Sequence, residues 1–170
     1  AKEIEQYKVT CSIVTADFSN PIETSKIMEK TFREHSIDGL VNNAAIFDEV
    51  QFDQTSLTQW QEHLHINLTA PFLLSQLFAK YHADKEGRII NILDWRALRP
   101  GRDHFPYTIS KAALAAMTKS LALNLAPNIQ VNALALGAIL PPSNSNQDDS
   151  IIRQVPAHRW ASLEELGRAF

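Results

Sequence analysis

Short runs rich in branched apolar residues alternate along this chain with longer stretches of helical periodicity, and that alternation allows few folds. The strand-like runs are 8–16 (KVTCSIVTA), 39–45 (GLVNNAA, which reads as a short buried strand), 88–93 (RIINIL) and Ile129–Leu136 (IQVNALAL). Between them, 22–34 carries apolar residues at Ile22, Ile27, Met28 and Phe32. Residues 57–81 carry a stripe at Leu57, Trp60, Leu64, Leu68, Phe72 and Leu77, interrupted by Pro71. Residues 106–126 carry Leu114, Met117, Leu121 and Leu125, with Pro127 just past the end. Ser162 and Glu165 form a capping box that opens a last helix. Strands that alternate with helices predict an α/β domain over 1–170, a doubly wound parallel sheet with helices on both faces. The chain opens on what reads as an interior strand and its last helical pattern stops at Phe170. Both ends of the pattern therefore read as unfinished.

In such a sheet ligands bind beyond the carboxyl ends of the strands. That edge collects Asp17, Asn43, Asp94 and Gly137, each of which follows a predicted strand. The stretch DWRALRPGRDHFPYTISK, from Asp94 to Lys111, carries the densest chemistry. Tyr107 and Lys111 stand at i and i+4, side by side on one helix face. An ammonium beside a phenol favours the phenolate, which a tyrosine acid/base near neutral pH requires. Taken alone the pair also fits a solvated contact on an ordinary helix.

Composition narrows the classes. A net charge of −3 leaves no basic footprint for nucleic acid or an acidic membrane surface. No apolar run reaches membrane-spanning length. The lone Cys11 excludes an internal disulfide, so a cytoplasmic location is expected. The five glycines, at 39, 87, 101, 137 and 167, are too scattered to write a glycine-rich phosphate loop. His63 and His65 face different ways on one helix, which argues against a metal site, and His104, in the loop before Tyr107, reads as solvated, with contact to substrate as the alternative. The polar run 141–150 (PPSNSNQDDS) is expected to be a mobile substrate loop.

In this order the residues resemble the short-chain dehydrogenase/reductase family. The matches are Asn42-Asn43-Ala44-Ala45 after a strand, Asn67 in the following helix, Tyr107-x-x-x-Lys111, Leu136-Gly137, and Asp17 as the acidic residue near an adenine. The resemblance covers nearly the whole chain and implies a Rossmann-like fold and a nicotinamide cofactor. NADPH is preferred and NAD is left open. It implies catalytic roles for Tyr107, Lys111, Asp94 and Asn67. It assigns the cofactor to Asp17, Phe18, Asn43, Ala44, Ala45, Tyr107, Lys111, Gly137 and Ile139, with no metal. The family's opening strand, glycine-rich loop, second strand and closing strand find no match here, so the chain is expected to be truncated at both ends. Family members pair through long helices, and the alanine-rich stretch near Ala112 suits a homo-oligomer, a dimer or tetramer.

Two departures sharpen the resemblance. The family's usual Pro-Gly is Leu136-Gly137, and its usual serine, thirteen residues before the tyrosine, is Asp94. Aspartate there resembles the pteridine reductases and dihydromonapterin reductases. Those enzymes also carry an aromatic residue that stacks on the pterin, a position matched by Phe47, and the segment 112–132 resembles theirs. This implies that Asp94 and Phe47 bind substrate, that Asp94 passes on a proton replenished by Tyr107, that Lys111 holds the nicotinamide ribose, and that Asn67 positions a water. Pro71, with no N–H, frees the Asn67 carbonyl for that water. Phe47 also fits a plain hydrophobic plug, and Pro71 a plain helix bend. A carbonyl reductase acting on a 3-oxoacyl thioester or a sugar, and a truncated non-catalytic scaffold, stay open as alternatives.

Overall fold

The computed structural model describes residues 4, 6–82, 85–139, 152–153 and 155–169. Its centre is a parallel three-stranded sheet in the order β1 (Gly39–Asn42), β2 (Gly87–Asp94), β3 (Ile129–Leu136). The register sets Asn42 opposite Asn91 and Asp94 opposite Leu136. Parallel neighbours need long crossovers, and helical segments supply them.

Helix α1 (Pro21–Glu34) starts with proline, and the Asn20 side chain accepts the Glu23 N–H at 3.2 Å. Helix α2 (Leu57–Leu64) opens on a capping box between Ser56 and Gln59. It runs through one π turn, His65–Thr69, into α3 (Ala70–Tyr81). Within that turn the Ala70 N–H reaches five residues back to the His65 carbonyl. The cause lies one residue on, where Pro71 has no N–H to return to Asn67 and the ordinary ladder breaks. Helix α4 (Phe105–Leu125) packs on β3 and β2, and α5 (Leu163–Gly167) opens on the expected Ser162/Glu165 box. No helix among the described residues is long and apolar enough to cross a membrane. The 141–150 loop lies outside the described residues.

The core joins α1 and α3 to the sheet through Phe32, Leu74, Leu77, Phe78, Ile89, Ile129 and Val131. Each such side chain contributes roughly 1.5–3 kcal/mol on full burial. Above it, toward the strand ends, the interior turns polar, and side-chain bonds link its elements. Asn42 Nδ2 donates to Asn91 Oδ1 at 2.8 Å and more weakly to Ser75 Oγ at 3.4 Å. Asn91 Nδ2 in turn donates to Thr118 Oγ1 at 2.9 Å. One chain of side-chain bonds thus crosses α3, β1, β2 and α4, and fixes their relative height.

Three expectations are corrected. Residues 8–16 form no strand: nothing among the described residues pairs with them, and Val9, Ile13 and Val14 stand exposed. A β-branched run without a hydrogen-bonding neighbour has no ladder to join. β1 is not buried: among the described residues it is an edge strand, and its Val41 is 48% exposed. Ile22 points outward from α1, and the inner face is held instead by Pro21, Thr24 and Phe32.

Gly87 opens β2 where a side chain has no room. A Cβ there would sit 2.8 Å and 2.9 Å from Phe78 ring carbons, and Phe78 is fully buried against His82. Gly87→Ala would gain roughly 0.4–1 kcal/mol by stiffening the unfolded chain. Overpacking costs roughly 1–3 kcal/mol, so the net expectation is a lower denaturation midpoint. A midpoint at or above wild type would show that the Phe78/His82 ring pair shifts freely.

Candidate active site

The inward face of α4 carries Tyr107, Ser110, Lys111, Leu114 and Thr118, all buried and spaced by three or four. The apolar stripe read from the sequence shares this face, so the polar residues occupy its upper half. That half lies over the end of β2. Lys111 Nζ donates to the Ile92 carbonyl at 2.7 Å and sits 5.8 Å from the centre of the Tyr107 ring. Burial pushes the Lys111 ammonium down to about 8, with the Asp94 carboxylate pulling back up. Tyr107 is pushed well above its ordinary value, first by burial and then by Asp94, through charge and a side-chain hydrogen bond. The group that pulls the phenol down is Arg96. The expected lowering of Tyr107 by Lys111 is therefore corrected: the ammonium is turned to a strand carbonyl, and the cation acting on the phenol comes from the turn after β2.

That turn was missed in the sequence. Asp94 Oδ1 accepts the Arg96 backbone N–H at 2.8 Å, and Arg96 Nη1 lies 3.7 Å from the same oxygen. Arg96 Nη2 donates to Asp103 Oδ2 at 2.8 Å. The signal was present, since Asp94-x-Arg96 places a guanidinium two residues past a strand end, inside the crevice that the strand-end rule marks out.

Beyond β1 the chain runs Asn43, Ala44 and Ala45, all exposed along the crevice. Asn67 is fully buried and grips the next residue: its Oδ1 accepts the Ile46 N–H at 2.9 Å and its Nδ2 donates to the Ile46 carbonyl at 3.1 Å. The same Nδ2 reaches Ser110 Oγ on α4 at 3.0 Å. His63, also fully buried, holds the loop from the other side, accepting the Asp48 N–H at 3.5 Å. Phe47 is pinned between these two anchors. Its ring stands edge-on to Tyr107 with centroids 4.6 Å apart, and lies flat against His104 at 3.9 Å and 12°. His104 is corrected from solvated to buried, because the Phe47 ring covers it and its Nδ1 meets Asp103 Oδ2 at 2.9 Å. Its left-handed backbone (φ 52°) turns the chain into α4.

A second hollow lies between the end of β1 and the π turn, walled by Phe18, Val41, Ile66 and Leu74, with Asn42 and Asn43 among its lining. Asn42 Oδ1 is buried there without a partner. Asp17 stands exposed beside Phe18, and its Oδ1 accepts the Ser19 N–H at 2.9 Å; hydrogen bonds from the Ser19 side chain first and its backbone second hold the carboxyl below its ordinary value. Gly137 follows Leu136, the register partner of Asp94, at the same sheet edge. Ile139 is half-buried beyond it, and Ala138 between them accepts the Ala161 N–H at 2.9 Å.

Comparison with known proteins adds to this geometry. Residues 1–151 match the family model of the short chain dehydrogenases. The chain is 32% identical over 172 residues to 2-dehydro-3-deoxy-D-gluconate 5-dehydrogenase of Bacillus subtilis, covering 96% of this chain and 68% of that protein. It is 34% identical over 174 residues to 3-oxoacyl-[acyl-carrier-protein] reductase FabG of Aquifex aeolicus, covering 98% and 70%. Its structure matches FolM alternative dihydrofolate reductase 1 from Brucella canis, solved in complex with NADP, with TM-score 0.88 and 31% identity over 99% of this chain and 68% of that one.

Lys111 gives a prediction with a definite sign. Between about pH 8 and 10.5 the unfolded chain keeps a proton that the folded chain has shed, so stability should rise with pH across that window. In Lys111→Met that contribution should vanish, and stability at neutral pH should hold or increase, since a buried charge is removed. Denaturation midpoints of variant and wild type across the window check this. Parallel curves for the two proteins would show that Lys111 is not a buried titrating group.

Proposed function

The chain belongs to the short-chain dehydrogenase family, and we propose that within it this protein is an NADPH-dependent reductase of a dihydropterin. The observation that carries the proposal is the carboxyl of Asp94, held at the end of β2 where it acts directly on the buried Tyr107. Reduction of an imine needs a proton at the ring nitrogen. A carboxyl group can pass one on, whereas a hydroxyl in its place would serve mainly to orient a carbonyl oxygen. Phe47, half exposed and edge-on to Tyr107, offers an aromatic wall beside the reacting groups. The structural likeness to FolM supports the same substrate class.

NADPH, when bound, supplies the hydride. In this reading Lys111 and Tyr107 hold its nicotinamide ribose, with Gly137 and Ile139 beside them. Asn43, Ala44 and Ala45 line its path, and Asp17 and Phe18 hold the adenine end. Asp94 hands a proton to the substrate nitrogen and recovers it from Tyr107. A water on the Asn67 carbonyl, which Pro71 leaves without its usual helical donor, refills the relay. Ile109 and Leu123 face outward on α4 and give the apolar surface for a homo-oligomer.

A second reading, a reductase of a sugar-acid or 3-oxoacyl carbonyl, is favoured by the identity to the gluconate dehydrogenase and to FabG. Asp94→Ser separates the two. In the full-length protein it should leave NADPH binding intact and lower dihydropterin reduction by roughly 10²–10⁴-fold, the usual weight of general acid catalysis. Reduction of acetoacetyl thioester should hold or rise. NADPH oxidation with 7,8-dihydrobiopterin against the thioester is the assay. A wild type active only on the thioester, or a serine variant equally active on the pterin, would establish the carbonyl reading.

Phe47→Ala should weaken pterin binding by roughly 0.5–1.5 kcal/mol more than NADPH binding, the worth of an aromatic pair beyond its buried area. Equal losses for both ligands would mark Phe47 as filler between Tyr107 and His104.

A further inference from the structure

Arg96 stands in none of the motifs read from the sequence, yet it touches Asp94, Asp103 and the Phe47 and Trp95 rings. Its side chain is 16% exposed and its Nε is buried without a partner. A guanidinium in that setting is a poor device for stability, since replacing a buried ion pair by packed apolar groups is often neutral or favourable. Its contacts have another logic. One arm is fixed by Asp103 at 2.8 Å, and Asp103 also holds His104, which lies flat on Phe47. The guanidinium carbon lies 5.3 Å from the Phe47 ring centre and 4.7 Å from that of Trp95. The backbone N–H and the other arm meet the same oxygen of Asp94, at 2.8 Å and 3.7 Å.

We propose that Arg96 is the positioning residue of the site: anchored through Asp103 and the Phe47/His104 stack, it fixes Oδ1 of Asp94 from behind and leaves Oδ2 for the phenol of Tyr107. The proposal rests on the pterin reading, in which the Asp94 carboxyl transfers the proton. On this reading the Asp94 side chain, at the end of a strand, is held in one orientation, and the stacking wall and the proton donor are kept in fixed relation. Proton transfer is steeply sensitive to such placement.

The test is a double-mutant cycle on the full-length protein, with kcat and KM for dihydrobiopterin and the Kd for NADPH measured throughout. Arg96→Gln should lower kcat by about tenfold or more while the NADPH Kd stays within about twofold. In the Asp94→Ser background the same substitution should cost nothing further, because the group it positions is gone. Arg96→Lys keeps the charge without the two-armed fork. It should fall between wild type and Arg96→Gln in kcat, with a melting temperature near wild type, and it carries the test if Arg96→Gln does not fold. Losses from Arg96 and Asp94 substitutions that multiply, or Arg96 variants with wild-type kcat, overturn the proposal and leave the pterin reading standing. Pterin reduction unaffected by Asp94→Ser overturns both.

Discussion

An ammonium taken out of water must find an acceptor, and the solution at Lys111 fixes the geometry of everything near it. Its Nζ meets the carbonyl of Ile92, two residues before β2 ends. One bond therefore sets both the height of α4 over the sheet and the position of Tyr107, one turn earlier, against Asp94. The Asn42–Asn91–Thr118 chain below it repeats the constraint, coupling β1 and β2 to the same helix. Moving α4 by one residue along the sheet would strand several buried polar groups at once. The apolar core beneath could tolerate such a shift better, because dispersion contacts have no direction. Polar pairing in the upper layer supplies the precision, and the core supplies the free energy.

The architecture was legible because it depends on pattern. β3 has the bounds read from the sequence, β2 and α4 lie within about one residue of theirs, and the Ser162/Glu165 box caps a helix as read. What failed was whatever depends on a neighbour. Residues 8–16 have the composition of a strand, but a strand is a pairing and no partner stands beside them among the described residues. Val41 reads as buried for the same reason, its composition saying nothing about which edge of the sheet it occupies.

The site shows the same division. Tyr107 and Lys111 were legible from spacing on a helix, and Asp94 from its place at a strand end. Their charges were not. Spacing predicts that Lys111 should draw down its neighbour's proton affinity. The fold instead turns the ammonium toward Ile92, and burial raises Tyr107. His104 looked solvated because a histidine in a loop carries no mark of what covers it. The cover is Phe47, delivered from the end of β1 by the clamp of Asn67 on Ile46, and no local pattern connects the two.

Asp94 and Arg96 follow from one electrostatic requirement. A carboxylate set at a buried strand end beside a phenol opposes the ionisation of that phenol, and burial opposes it further. A neutral hydroxyl at the same place would raise no such conflict. Once the acid is there, a cation is needed close to it, and Lys111 is already turned to a strand carbonyl. The turn after β2 is the nearest backbone able to provide one, and Arg96 provides it with a reach that a shorter side chain lacks. The guanidinium then needs its own counterion to stay in place, which Asp103 supplies, and the imidazole bound to the same carboxylate brings the aromatic wall into register. The charge at Asp94 is thus tied through Arg96, Asp103 and His104 to Phe47.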